Sequence, residues 1–163
     1  MFQVGDYVVY GCKGVCQVRE ITTMKMDGIP KGKLYYQLQP CTQAASRIFT
    51  PVEPGNNKSV MRAVLTKEEA SRLLAMTQQP TEWIKDDRVR EAKYKEIINS
   101  CDAVQLLAMI RMLYQRRAER ENTGRHLPAL DGRYLHMAEE ILLSELSLCL
   151  ECPQDEIRDT IKK

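Results

Sequence analysis

The one tryptophan of the chain, Trp83, heads the segment Trp83-Ile84-Lys85-Asp86-Asp87-Arg88 and is followed by Lys85, Arg88, Arg90, Lys93 and Lys95. An aromatic ring beside closely spaced cations suits nucleic acid. The ring can enter and unstack a base step while the cations hold the flanking phosphates. Asp86, Asp87, Glu91 and Glu96 are interleaved with the cations and reduce the local charge to +1. The same pattern therefore also describes a core-filling tryptophan beside a solvated helix face, and residue types alone favour that description. A second basic group, Arg111, Arg116, Arg117 and Arg120, sits late in an expected helix, where cations complement the macrodipole whatever the function.

Other chemistry finds less support. Cys149-x-x-Cys152 and Cys12-x-x-x-Cys16 have spacings close to those of metal ligands. A zinc site would need all four to converge from opposite ends of the chain. Cys149 falls on an apolar helix stripe and Cys16 in an expected strand, so small buried hydrophobes explain both. His126 and His136 read as structural side chains. Asp86 and Asp87 read as helix N-terminal residues that complement the macrodipole. There is no Gly-rich phosphate loop, no Ser elbow and no His-x-x-x-His pair. The expectation is a protein with no catalytic residue, no cofactor, no metal and no small-molecule substrate.

The elements that must position these residues divide into two textures. The 163 residues carry a net charge of +2, with 44% hydrophobic and 28% charged residues, which is a globular composition. No apolar run approaches the roughly 20 residues of a membrane span. The opening MFQVGDYVVY lacks the pattern of a secretory signal. The six cysteines then read as reduced thiols, and a cytoplasmic location is expected. Residues 1–60 hold seven basic and four acidic side chains, and the remainder 17 and 18.

Gly5, Gly11, Gly14, Gly28, Pro30, Gly32 and Pro40 punctuate short β-rich runs at Tyr7–Tyr10, Val15–Ile21, Leu34–Leu38 and Ile48–Val52. Val60–Val64 can add a fifth, and Met26-Asp27-Gly28 suits a hairpin tip. Strands at this spacing predict a strongly bent sheet or small barrel, with Val8 and Tyr10 on one face and Val9 on the other. Residues 53–58, Glu-Pro-Gly-Asn-Asn-Lys, read as a loop.

After Leu65 the period changes to about 3.6. Thr66-Lys67-Glu68-Glu69 is a capping box opening a helix to about Met76. Gln78-Gln79-Pro80 breaks it. A second helix is expected from about Ile84 to Asn99, and a third from about Asp102 to Glu121 with Ser100 as its N-cap. The apolar stripe of the third is Val104, Leu107, Ile110, Leu113 and Tyr114. A fourth begins at Pro128 with Leu135, Ala138, Leu142, Leu146 and Cys149 on one face, and a fifth runs from Gln154 to about Ile161. The class is α+β, with a β domain at 1–60 and a compact all-α domain at 61–163.

Phe2-Gln3-Val4-Gly5-Asp6-Tyr7-Val8-Val9-Tyr10 and Gly14-Val15 resemble the signature of the CarD-like family of bacterial transcriptional regulators. Arg47-Ile48-Phe49-Thr50-Pro51-Val52-Glu53 resembles the last strands of that family's N-terminal module, which is shared with the transcription-repair coupling factor. Trp83 to Arg88, with Tyr94, is similar to the start of the helical domain in the Firmicutes-type branch. Leu107, Ile110, Arg111, Leu113 and Tyr114, then Ala138, Glu139, Leu142, Glu145 and Leu146, resemble its later helices.

The resemblance implies a Tudor/SH3-like barrel that docks on the RNA polymerase β subunit and a helical domain that contacts promoter DNA at the upstream edge of the bubble. Trp83 matches a tryptophan that wedges into the minor groove and holds the open complex. Lys85, Arg88, Arg90 and Lys93 would position it through phosphates with little base specificity. Two departures stand out. Asp86 and Asp87 occupy positions that are cationic or aromatic in some members. Phe49 stands where some relatives place an arginine for the β-subunit contact, leaving Arg47 and Lys25 as the nearby cations. The rival expectations are a protein-only adaptor without DNA contact and a thiol- or metal-based sensor using Cys149 and Cys152.

Overall fold

The computed structural model describes residues 1–53, 61–76 and 82–162. Most of the loop expected at 53–58, the Gln78–Pro80 breaker and Val60 lie outside the described residues. Five strands, β1 (Tyr7–Tyr10), β2 (Val15–Thr23), β3 (Leu34–Pro40), β4 (Ile48–Pro51) and β5 (Met61–Ala63), form an antiparallel sheet in the order β4-β3-β2-β1-β5. The register of β2 on β3 shifts between Val18 and Glu20, the kind of irregularity that a β-bulge introduces. Asp27 and Gly28 do form a turn, with Gly28 at φ +86°, but within a longer connection over residues 24–33 rather than a tight hairpin. β5 hydrogen-bonds to β1, so the sheet continues past the division expected at residue 60.

The adjacent valines of β1 explain how the sheet joins the rest of the chain. Val8 packs with Cys16, Val18, Tyr36 and Leu38 in a small core on one face. Val9 and Val15 face the other way and enter the large core of the helices. A sheet covered on both sides reads as a continuous apolar run, not as alternation. At the same junction Gly14 adopts φ +71°, and a Cβ there would sit 3.4 Å from the Ile141 Cα. That position combines a left-handed backbone with a close approach, and both favour glycine.

Five helices follow: α1 (Lys67–Ala75), α2 (Asp87–Ser100), α3 (Ala103–Glu121), α4 (Ala129–Leu150) and α5 (Gln154–Lys162). The capping box at α1 closes in both directions, Glu69 N to Thr66 Oγ1 and Thr66 N to the Glu69 carboxylate. α2 starts later than expected because Asp86 is its N-cap, accepting from Val89 N at 3.0 Å. The cap of α3 is Asp102, not Ser100, with Val104 N donating at 2.9 Å. Ser100 is the last residue of α2, and the left-handed Cys101 (φ +58°) turns the corner between them.

Leu107, Ile110, Leu113 and Tyr114 are buried as the stripe predicts, but Val104 is exposed on the first turn of α3. Leu106 and Met109 are buried as well, because α3 is enclosed on more than one side. Leu135, Ala138, Leu142 and Leu146 are buried along α4. Cys149 packs against the helical core and donates its thiol to Leu65 O at 2.8 Å. Among the described residues no helix is long and apolar enough to cross a membrane, and no group of three or more His, Cys, Asp or Glu side chains is placed to hold a metal ion.

Candidate nucleic-acid interface

Trp83 lies on the irregular segment that leads into α2. It is half-buried, with a defined polar anchor. Its Nε1–H donates to Asp131 Oδ1 at 3.4 Å. Asp131 comes from the first turn of α4 and is completely inaccessible to solvent. A buried carboxylate is costly unless several donors satisfy it. Here Tyr94 O–H donates to Oδ1, Arg90 Nε to Oδ1 at 2.9 Å, and Arg90 Nη2 to Oδ2 at 3.3 Å. Burial and the hydrogen bond to Asp131 push the Tyr94 phenol well above its ordinary range.

Arg90 is the organising cation. It is 2% exposed, and besides Asp131 it pairs with Asp87 at 2.8 Å. Its Nη1 donates to Ile84 O at 2.9 Å and Lys85 O at 3.3 Å, which pins the segment carrying Trp83 to the first turns of α2. Burial by itself pulls the Arg90 pKa down; hydrogen bonds to Asp131 and Asp87 more than offset it, and the guanidinium stays charged. Its Cζ also lies 4.4 Å from the Trp83 ring centroid. A second guanidinium, Arg116 of α3, lies 3.4 Å from the same centroid, in direct stacking contact.

The other sequence candidates have different surroundings. Lys85 and Arg88 are exposed and form no salt bridge among the described residues. Lys93 is exposed and pairs loosely with Glu96 at 3.6 Å. The fold therefore gathers Trp83 and Arg90 into one network and leaves Lys85, on the segment before α2, and Arg88 and Lys93, on α2, exposed to solvent. Arg90 differs from those three in having no free surface to offer a phosphate. Asp131 and Arg116 complete the site: Asp131 was not singled out in the sequence, and Arg116 stood there only in the basic group late in α3, which the macrodipole accounts for. Nothing local tied either of them to Trp83, since α4 and α3 deliver them from distant parts of the chain.

On the sheet, Phe49 is 42% exposed on β4, which forms one edge, and Arg47 is exposed just before that strand. Lys25 is exposed on a separate segment, the β2–β3 connection. Thr50 and Leu38 turn inward, so the outward position of Phe49 follows from the strand alternation.

Residues 2–65 match the model of the CarD-like/TRCF RID domain, and residues 69–162 match that of the CarD C-terminal domain. No curated protein is significantly similar to the chain. The first match contains the entire sheet including β5, and the second spans α1 through α5 apart from the first residues of α1. With both units matched in order over nearly the full length, the chain belongs to the CarD-like family, transcription-associated factors that interact with RNA polymerase.

Proposed function

We propose that the chain tethers to the RNA polymerase β subunit through its sheet and contacts promoter DNA near the upstream edge of the bubble through its helical unit. Arg47 and Phe49 at edge strand β4 form the polymerase contact, with Lys25 on the β2–β3 connection beyond the other end of that strand. Trp83 acts as a minor-groove wedge, while Lys85, Arg88 and Lys93 hold phosphates without reading bases. Arg90 orients the wedge from within.

The observation that carries this reading is the state of Trp83. The ring is half-buried and held by Asp131, Arg90 and Arg116, with exposed cations on the segment that follows. A tryptophan serving only as core filler would be enclosed by apolar side chains. A ring that is oriented by charges and still reachable from solvent suits insertion at a fork junction. No catalysis is required: stabilising the open state by about 1.4 kcal/mol shifts its population ratio tenfold.

The test is the lifetime of the open complex with the cognate polymerase, comparing no factor, wild type and Trp83→Ala. Wild type should lengthen the lifetime and Trp83→Ala should lose most of that gain while still binding polymerase. Equal lifetimes for wild type and Trp83→Ala would remove the wedge and leave a protein-only adaptor.

A further inference from the structure

Among the described residues, Arg116 is the arginine of α3 with a buried donor that lacks a partner. Arg111 donates to Met76 O at 2.8 Å and Leu74 O at 3.0 Å, and Arg120 donates to His126 O. Arg117 lies over Tyr114 with 5.1 Å between guanidinium and centroid. Arg116 makes no hydrogen bond or ion pair with any described residue, and its Nε is buried without a partner. Its contact is the face of Trp83, at 3.4 Å. A guanidinium carries five donors in a planar fork that matches phosphate oxygens, and Arg116 keeps the donors of its terminal nitrogens unengaged by protein.

The stack also has a geometric consequence for the wedge. A ring entering a base step must present a face to a base, and Arg116 covers one face. Moving the guanidinium from the ring to an adjacent phosphate frees that face. The same movement exchanges a cation–π contact for charge-assisted hydrogen bonds to an anion. Both changes favour the DNA-bound state.

We infer that Arg116 is a DNA-binding residue that covers the Trp83 ring in the free protein and transfers to a backbone phosphate beside the inserted ring. The ligand is a phosphodiester of the promoter strand flanking the wedge. This inference rests on the wedge reading of Trp83.

Two measurements on the full chain test it. Trp83 is the only tryptophan, so intrinsic emission reports directly on the stack. Arg116→Gln should alter the emission of the free protein and abolish most of the change that wild type shows on adding a fork-junction duplex. Open-complex lifetimes with the cognate polymerase, measured across a salt series, supply the second readout. Arg116→Gln should shorten the factor-dependent lifetime and lower its log–log salt slope by about 0.9, the loss of one phosphate contact. Arg116→Lys, which keeps the charge in a chain of similar length, should restore the slope and guards against a folding defect in the glutamine variant.

A defective Trp83→Ala together with an Arg116→Gln of wild-type lifetime and slope would overturn the role of Arg116 and leave the wedge standing. If Trp83→Ala itself behaves as wild type, the wedge reading fails and the coupled movement with it.

Discussion

Asp131 concentrates the electrostatics of the helical unit in one carboxylate, and its neighbours differ in how much they depend on it. Arg90 brings a full charge into an almost inaccessible position, whereas Tyr94 brings a neutral hydroxyl. Asp131→Asn would leave the Arg90 guanidinium buried without its main counter-charge, a change that costs about 3–5 kcal/mol. Tyr94→Phe removes one hydrogen bond to a charged group and should cost about 1.5–3 kcal/mol. Urea denaturation of the two variants should give that order; equal losses would mean that the Arg90 charge is not what Asp131 stabilises. The site was legible at this scale only in part. Trp83 stood out because it is a lone aromatic at a helix start among cations. Arg90 had a signal that the count of cations obscured: with Tyr94, Ile97 and Ile98 it falls on the i, i+4, i+7, i+8 face of α2, and that face is the buried one. Asp131 had none and Arg116 showed only as one of four cations late in α3, because spacing along one helix does not say which side chain of another helix packs on it.

The first turn of α2 is where fold and proposed function compete. Asp86 caps the helix through Val89 N, yet its negative charge sits between Lys85 and Arg88. Asparagine caps as well as aspartate, while alanine does not. Asp86→Asn should therefore leave stability nearly unchanged and strengthen binding to fork-junction DNA at low salt. Asp86→Ala should lose about 1 kcal/mol and fray the turn that presents Arg88. Fluorescence titration and urea midpoints separate the two effects; no gain in affinity for Asp86→Asn would argue that the first turn does not approach phosphate. Strand β2 carries a second prediction. Burial, then the neighbouring Cys41, pushes the Cys16 thiol from 9.0 up to about 12. Above pH 9 the unfolded chain loses this proton while the folded chain keeps it. The stability associated with Cys16 is thus complete below pH 9 and falls by about 1.4 kcal/mol per pH unit above it. Cys16→Val should flatten this alkaline decline relative to wild type in urea titrations between pH 8 and 10.5. The elements themselves were largely legible, since turn residues delimit the strands and a capping box announces α1. The α2–α3 corner was not: Ser100 and Asp102 are both good caps, and the choice depends on Cys101 adopting a left-handed backbone, which its residue type does not advertise. The burial of Val9 was hidden for a related reason, because alternation describes one covered face and the helices cover the other.

A factor that tethers at one end and wedges at the other works only if the joint between them holds its geometry. Apolar contact from Val9, Val15 and the close approach of Gly14 to Ile141 supply part of that joint. Its polar element is Arg62 of β5 with Glu145 of α4. The two guanidinium nitrogens donate to the carboxylate at 2.6 and 2.7 Å, and Leu65 N adds a third donor at 2.9 Å. Glu145 is fully buried, and Arg62 also reaches Cys101 O at the α2–α3 corner. Burial alone lowers the Arg62 pKa, and the bond and charge of Glu145 more than reverse that, so the guanidinium stays charged. Arg62→Leu should cost about 3–5 kcal/mol, because Glu145 is left as an uncompensated buried charge. Replacing both residues by leucine should recover much of that loss, since the desolvation penalty disappears together with the attraction. The double variant is the informative one for function. It should remain folded and leaves β4, the edge proposed to meet polymerase, untouched, yet it lacks the bidentate, directional link between sheet and helices. A looser joint lowers the effective concentration of Trp83 at the fork without changing its contacts. The expected result is normal binding to polymerase with a shortened open-complex lifetime. A double variant that matches wild type in lifetime would show that apolar packing alone fixes the joint, with the ion pair contributing only to its own stability.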